Sequence, residues 1–281
     1  MLRSRLLTIA TAATCAGLGG ALLSENGHTT FAEAAAARPA PAAATAPAPT
    51  VVTAARAVLA AGGVERPDAN SPVQVALNAL SPKVKKLSSP EALEMAFKAY
   101  YAYKSENPGK VRKPYLYFVD YGLSATTPRG YVFDMKTLKV VDGPFMVAHG
   151  RGSAPAGVGV PTRFGNKMGA ATTSLGLYLA QETYAFVGHT GGKAYRSVGL
   201  RLAGVSGKFN GAARARGVVA HGAPYVTASR AGRSEGCPAV EPARARALLP
   251  KLSNGGMVFL FSPRDRTWLE QDPWAGDAAN G

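Results

Sequence analysis

The sequence predicts a mainly β body with a helical segment ahead of it and a few short helices. Between residues 115 and 262 the chain breaks into short runs of β-branched and aromatic residues separated by Gly, Pro and Asp. Helical spacing of apolar residues is confined to 71–80, 89–104 and 242–252. No repeat of solenoid period is visible.

The helical segment, 71–112, comes first. SPVQVALNAL at 71–80 opens on Ser71, and at 89–104 Ser89 is placed to cap, Pro90 suits the first helical position and Glu91 favours the positive helix end. Leu93, Ala96, Phe97, Tyr100 and Tyr101 share one face, which reads as a surface packing on the following domain rather than an aromatic ligand stripe. Asn107-Pro108-Gly109 stops the helix. Strands at 115–120, 130–135, 138–141 and 144–148 follow, with turns at Pro128-Arg129-Gly130 and Asp142-Gly143, the pattern of a β-meander. Further strands fall at 175–180, 198–202, 217–220 and 257–262, with a helix at 242–252 opening on Pro242. The Gly-rich 150–169 carries Arg151, Arg163 and Lys167 but lacks phosphate-loop spacing, so it reads as a long surface loop.

The start of the chain points to export. Arg3 and Arg5 precede an uncharged run over 6–23, and Ala32, Ala34, Ala35 and Ala36 offer small residues for cleavage, so 1–37 reads as a signal peptide. A membrane anchor competes, but Gly17, Gly19, Gly20 and several Thr make the run weakly apolar, and no stable membrane span is expected after processing. An Ala/Pro-rich disordered linker is expected at 38–70, a single domain at 113–265 and a C-terminal tail at 266–281. A monomer, periplasmic or cell-wall associated, is the corresponding expectation. The net charge of +15 and pI near 10.0 favour an acidic partner, which for an exported protein is a cell-wall polymer. No zinc-finger spacing, RNA-binding aromatic signature or basic heptad helix speaks for nucleic acid.

The chemistry concentrates at 218–240. Of the two cysteines, Cys15 lies in the expected signal peptide, which leaves Cys237 as the one thiol after processing. His221 ends a predicted strand, and Gly222 leaves the backbone beside it unobstructed. A neighbouring imidazole and the positive setting of Arg230 and Arg233 both favour a thiolate. Gly236 allows a tight turn in which the amides of Gly236 and Cys237 face one oxyanion. Either Ser234, the nearest hydroxyl, or a backbone carbonyl would orient His221. His149 and His189 are candidates to line the cleft. A zinc site built from His149, His189 and His221 is the sharp alternative, but no two lie at helix spacing and no HExxH is present, so no metal and no cofactor is expected.

His221-Gly222 followed by Ser234-x-Gly236-Cys237 resembles the signature of the murein L,D-transpeptidases, cysteine enzymes of peptidoglycan. The resemblance extends over about 113–263 through Ala148-His149-Gly150-Arg151-Gly152-Ser153, Ser174-Leu175-Gly176-Leu177-Tyr178 and Leu200-Arg201-Leu202, and points to the branch of murein L,D-transpeptidase catalytic domain proteins. Better-known members carry Arg or Asn shortly after the cysteine, where this chain has Pro238 and Ala239. The resemblance implies an L,D-transpeptidase-like β-sandwich or barrel. It also implies acyl transfer from stem tetrapeptides through a Cys237 thioester, resolved by an amine to a 3-3 cross-link or by water as a carboxypeptidase, and acylation by carbapenems. The rival from another class is a non-catalytic basic wall-binding module of the same fold. A papain-like protease is disfavoured because there the histidine follows the cysteine.

Overall fold

In the computed structural model, which describes residues 70–155 and 159–276, Ser71 caps the first helix: its hydroxyl accepts the Gln74 N–H at 3.2 Å, and Pro72 stands at the first helical position. The expected signal peptide and all but the last residue of the expected linker lie outside the described residues. This helix, α1 (Pro72–Leu80), packs on α2 (Ala92–Glu106). The start of α2 departs from expectation. Ser89 does not cap it; Glu91 holds the cap position with no side-chain hydrogen bond. The hydroxyl chemistry of this corner goes to Asp120 instead, whose carboxylate accepts the Ser88 N–H at 2.7 Å, the Ser88 hydroxyl at 2.6 Å and the Gly122 N–H at 2.9 Å. Asp120 is fully buried, and desolvation raises its pKa despite these donors.

The strands are β1 (Tyr115–Asp120), β2 (Gly130–Asp134), β3 (Lys139–Phe145), β4 (His149–Gly150), β5 (Gly176–Thr190), β6 (Lys193–Gly204), β7 (Val219–Gly222), β8 (Arg233–Ser234), β9 (Ala239–Val240) and β10 (Met257–Phe261). Eight form one sheet in the order β3-β2-β1-β10-β5-β6-β7-β9, and β4 pairs with β8 separately. The meander β1-β2-β3 is antiparallel as predicted, while β1 with β10 and β7 with β9 run parallel. The expected turn at Asp142-Gly143 is a bulge within a continuous β3, because the four residues from Asp142 to Phe145 oppose the three of β2 from Gly130 to Val132. β5 and β6 are longer than predicted. They form one hairpin that turns at Gly191 and Gly192, both at positive φ (54° and 73°), a conformation that favours glycine.

Helices cover both faces of the central strands, which is why those strands read as apolar runs rather than as alternation. All of β10 is buried. On one face Phe133 meets Phe97 of α2 edge-on at 5.7 Å, and Phe259 and Phe261 each lie 5.8 Å from Trp268 of α4 (Arg266–Gln271). On the other, Tyr117, Val132 and Phe145 meet Leu248, Leu249 and Leu252 of α3 (Pro242–Leu252). The region expected to trail as a tail from 266 therefore folds as far as 276. Trp268 and Asp272 are fully buried, the indole N–H of Trp268 donates to Asp272 at 2.9 Å, and Trp274 stands edge-on to Tyr103 at 4.9 Å. Two tryptophans in so short a span carry too much apolar area to remain in water.

Candidate active site

Strand β7 supplies His221, and the chain entering β9 supplies Cys237. The amides of alternate residues on β7 point toward that chain: Ala223 N–H reaches the Val240 carbonyl at 2.9 Å and His221 N–H the Pro238 carbonyl at 3.3 Å. One step back, the Val219 amide adjoins the Cys237 thiol and acts to lower its pKa. Cys237 is half-buried and unpaired. Its turn is held by Ser234, whose hydroxyl donates to the Cys237 carbonyl at 2.6 Å and accepts the Gly236 N–H at 3.2 Å. Gly236 has φ +124°, and a Cβ there would lie 2.9 Å from the Thr172 carbonyl oxygen. Both facts demand glycine.

His221 is buried. Its Nδ1 lies 3.1 Å from the carbonyl of Gly222, an atom that only accepts, so Nδ1 carries the proton and Nε2 keeps its lone pair. Phe186 stacks on the imidazole at 4.3 Å. Burial pushes the imidazole pKa down to about 4, partly offset by the Gly222 hydrogen bond. Burial likewise pushes the Cys237 thiol up; the Val219 amide and Arg216 oppose this, and Glu235 adds to it. The resting pair is therefore a neutral thiol and a neutral imidazole. That corrects the expected thiolate: positive neighbours are present, but desolvation outweighs them.

Of the residues singled out in the sequence, the fold gathers Cys237, His221, Gly222, Ser234 and Gly236. Ser234 holds the cysteine turn, and the Gly222 carbonyl orients His221. The backbone at Gly222 is not open as expected: a Cβ there would collide with Ser197 and lie 2.9 Å from Ala245 and Pro242 of α3. The Gly236 amide is committed to Ser234, so it does not join an oxyanion site; among the described residues no acceptor engages the Cys237 N–H. Arg233, in β8, is exposed and donates to the Pro155 carbonyl at 3.3 Å.

His149 does not line an open cleft. It is fully buried, and its Nδ1 accepts an N–H of Arg129 at 2.9 Å. The proton then sits on Nε2, which is buried without a partner, and burial with the charge of Arg129 pushes the pKa down to about 3. β4 nevertheless lies against the cysteine turn, because a Cβ on Gly150 would come within 2.8 Å of the Gly236 Cα. His189 is exposed, pairs with Ala194 near the hairpin tip and stands three residues beyond Phe186, about 10 Å along the strand. It does not reach the site. Among the described residues no group of three His, Cys, Asp or Glu side chains is placed to hold a metal ion.

Three contributors escaped the sequence reading. Arg129, read as part of a turn, is fully buried under Tyr121, its guanidinium 4.8 Å from that ring and bonded to the carbonyls of Leu123 and Val147. Phe186 falls between the strands predicted at 175–180 and 198–202, and Arg216 just before the one predicted at 217–220. Tyr178 and Asn210 pack through Ser174 and the Leu177 carbonyl, and Arg201 pairs with Glu182 at 2.9 Å.

The profile of the L,D-transpeptidase catalytic domain matches residues 84–261, more than half of the chain. The chain belongs to that family. This L,D-transpeptidase domain is similar to solved L,D-transpeptidases from Mycobacterium smegmatis (15% identity, 53% of this chain and 58% of that one, TM-score 0.31) and Xylanimonas cellulosilytica (15%, 53% and 61%, 0.31). A third, from Stackebrandtia nassauensis, shares 13% identity over 70% of this chain and 93% of that one, with a TM-score of 0.34. The chain thus spans less than two thirds of the first two. No curated protein matches the chain.

Proposed function

We propose that the protein is an exported, peptidoglycan-modifying cysteine acyltransferase. The observation that carries this reading is the His221 tautomer: the Gly222 carbonyl holds the proton on Nδ1, which leaves the Nε2 lone pair free on the strand whose Val219 amide adjoins the Cys237 thiol. As Cys237 attacks the carbonyl between the third stem residue and the terminal D-Ala, its proton passes to Nε2. The oxyanion faces the Cys237 N–H. Collapse breaks the C–N bond, Nε2–H protonates the departing D-Ala amine, and a Cys237 thioester remains. An amine of a second stem then gives a 3-3 cross-link, or water gives the shortened stem. His221 takes the acceptor's proton in either case, and the thiol returns. Neutral resting partners suit this sequence, because the base is free down to about pH 4 and no stable ion pair must be broken first.

The net charge of +15 supports an acidic wall polymer as the surface on which the protein works, in the periplasm or at the wall, as a monomer. Incubation with tetrapeptide muropeptides and mass analysis of the products tests the reading. Loss of D-Ala with 3-3 dimers or tripeptides is expected from the wild type and none from Cys237→Ala. Wall binding without turnover in either protein would instead make it a binding module.

A further inference from the structure

Arg216 lies on the loop before β7, partly exposed, and four of its guanidinium hydrogen bonds converge on one segment. Nη1 donates to the Gly165 carbonyl at 3.0 Å and the Ser174 hydroxyl at 3.2 Å; Nη2 donates to the carbonyls of Ala170 at 3.0 Å and Thr172 at 2.7 Å. Every acceptor is a neutral carbonyl or hydroxyl, and among the described residues no carboxylate pairs with this cation. Its position is equally specific. Nη2 would lie 3.5 Å from a Cβ on Gly236, the residue before Cys237, and the Thr172 carbonyl it grips is the atom that would lie 2.9 Å from the same Cβ.

We propose that Arg216 is a positioning residue for Cys237: its guanidinium staples the 165–174 segment against the nucleophile turn and leaves an unneutralised positive charge beside the sulfur. The proposal rests on the reading of Cys237 as nucleophile. An arginine tied to three backbone carbonyls and one hydroxyl is held in place before any substrate binds, so its charge is available without reorganisation as the thiol loses its proton. The other charged neighbour of the sulfur, Glu235, acts in the opposite sense and is itself held by Arg151 at 2.7 Å. His221 and His149 are neutral, and the phenols of Tyr121, Tyr178, Tyr184, Tyr195 and Tyr225 sense Cys237 but stay protonated over the working range. Arg216 is thus the cation that opposes desolvation at the thiol.

The test is the pH dependence of iodoacetamide alkylation of Cys237, followed by intact mass, on the full chain with wild type, Arg216→Met, Arg216→Gln and Arg216→Lys. A rise of one unit in the thiol midpoint lowers the thiolate fraction at neutral pH about tenfold. A rise of about that size is expected for the Met and Gln variants, with partial recovery in Lys, which keeps the charge but not the fork. Coincident profiles for wild type and a folded neutral variant would overturn the proposal. Failure of both neutral variants to fold would overturn it too, by assigning Arg216 to stability alone. No peptide enters this assay. An Arg216-dependent profile in a protein that leaves stem peptides intact would sink the acyl-transfer reading and leave the electrostatic one standing.

Discussion

Phe186 lies on the imidazole of His221, ring centroids 4.3 Å apart and planes 25° from parallel. The ring comes from the second half of the long β5, at a position paired with Ser197 of β6, so the hairpin both extends the sheet and covers the His221 imidazole. Its removal should let water reach His221. Phe186→Ala is expected to move the imidazole pKa from about 4 toward the ordinary 6.5 and to carry the acid limb of kcat/KM upward with it, while kcat falls about tenfold. A pH–rate series for wild type, Phe186→Leu and Phe186→Ala checks this, with Leu intermediate.

Ser234 and His221 should separate cleanly in the same assay. Ser234→Ala deletes the 2.6 Å bond to the Cys237 carbonyl and strands the Gly236 N–H. The expected cost is about 1–3 kcal/mol of stability, seen as a lower Tm, with turnover down about 10- to 100-fold as the cysteine turn loosens. The acid limb should stay where it is, because Gly222 and not Ser234 holds the imidazole. A shifted limb would mean that Ser234 orients His221 after all.

Stability should decline as pH falls below about 6.5. His221 and His149 have native pKa values lowered to about 4 and about 3, so between those values and 6.5 the unfolded chain binds protons that the native state refuses. Their contribution is complete above pH 6.5, is lost progressively below it, and levels off beneath the native values. Asp120 and Asp272 act oppositely, since burial raises their pKa values and the native state takes up protons first. Urea midpoints at successive pH values test this. His221→Gln should reduce the slope between about pH 4 and 6.5 by one proton's worth.

Much of the framework was legible because local chemistry and global packing agree in it. The apolar runs of β1 and β10, the short β-branched and aromatic runs of the meander, Pro242 at the start of α3 and the apolar run at 71–80 each mark an element that the fold keeps. The thiol of Cys237 beside Gly236 and the His-Gly pair pointed to the candidate site. What stayed hidden was settled by distant partners. Ser88 turns to Asp120 across 32 positions, a bond no local window contains. Arg129 reads as a turn residue because its neighbours are Pro and Gly, yet it is buried over Tyr121 and against His149. The neutral state of the Cys237–His221 pair depends on how much water the fold removes, and that is not written in the residues themselves. His189 illustrates the converse, a Gly-flanked histidine that the hairpin carries away from the site.

Under the proposed mechanism Cys237 is the acylated group and His221 its base. Intact-protein mass spectrometry after exposure to a carbapenem tests it most directly, because a strained lactam carbonyl offers the same electrophile as the stem peptide and keeps its leaving group tethered, so the acyl-enzyme persists. One added carbapenem mass is expected on the wild type, mapped to Cys237, absent from Cys237→Ala and slowed in His221→Gln. An adduct that survives in Cys237→Ala, or none on wild-type protein that still processes tetrapeptide stems, would rule out Cys237 as the acylated group.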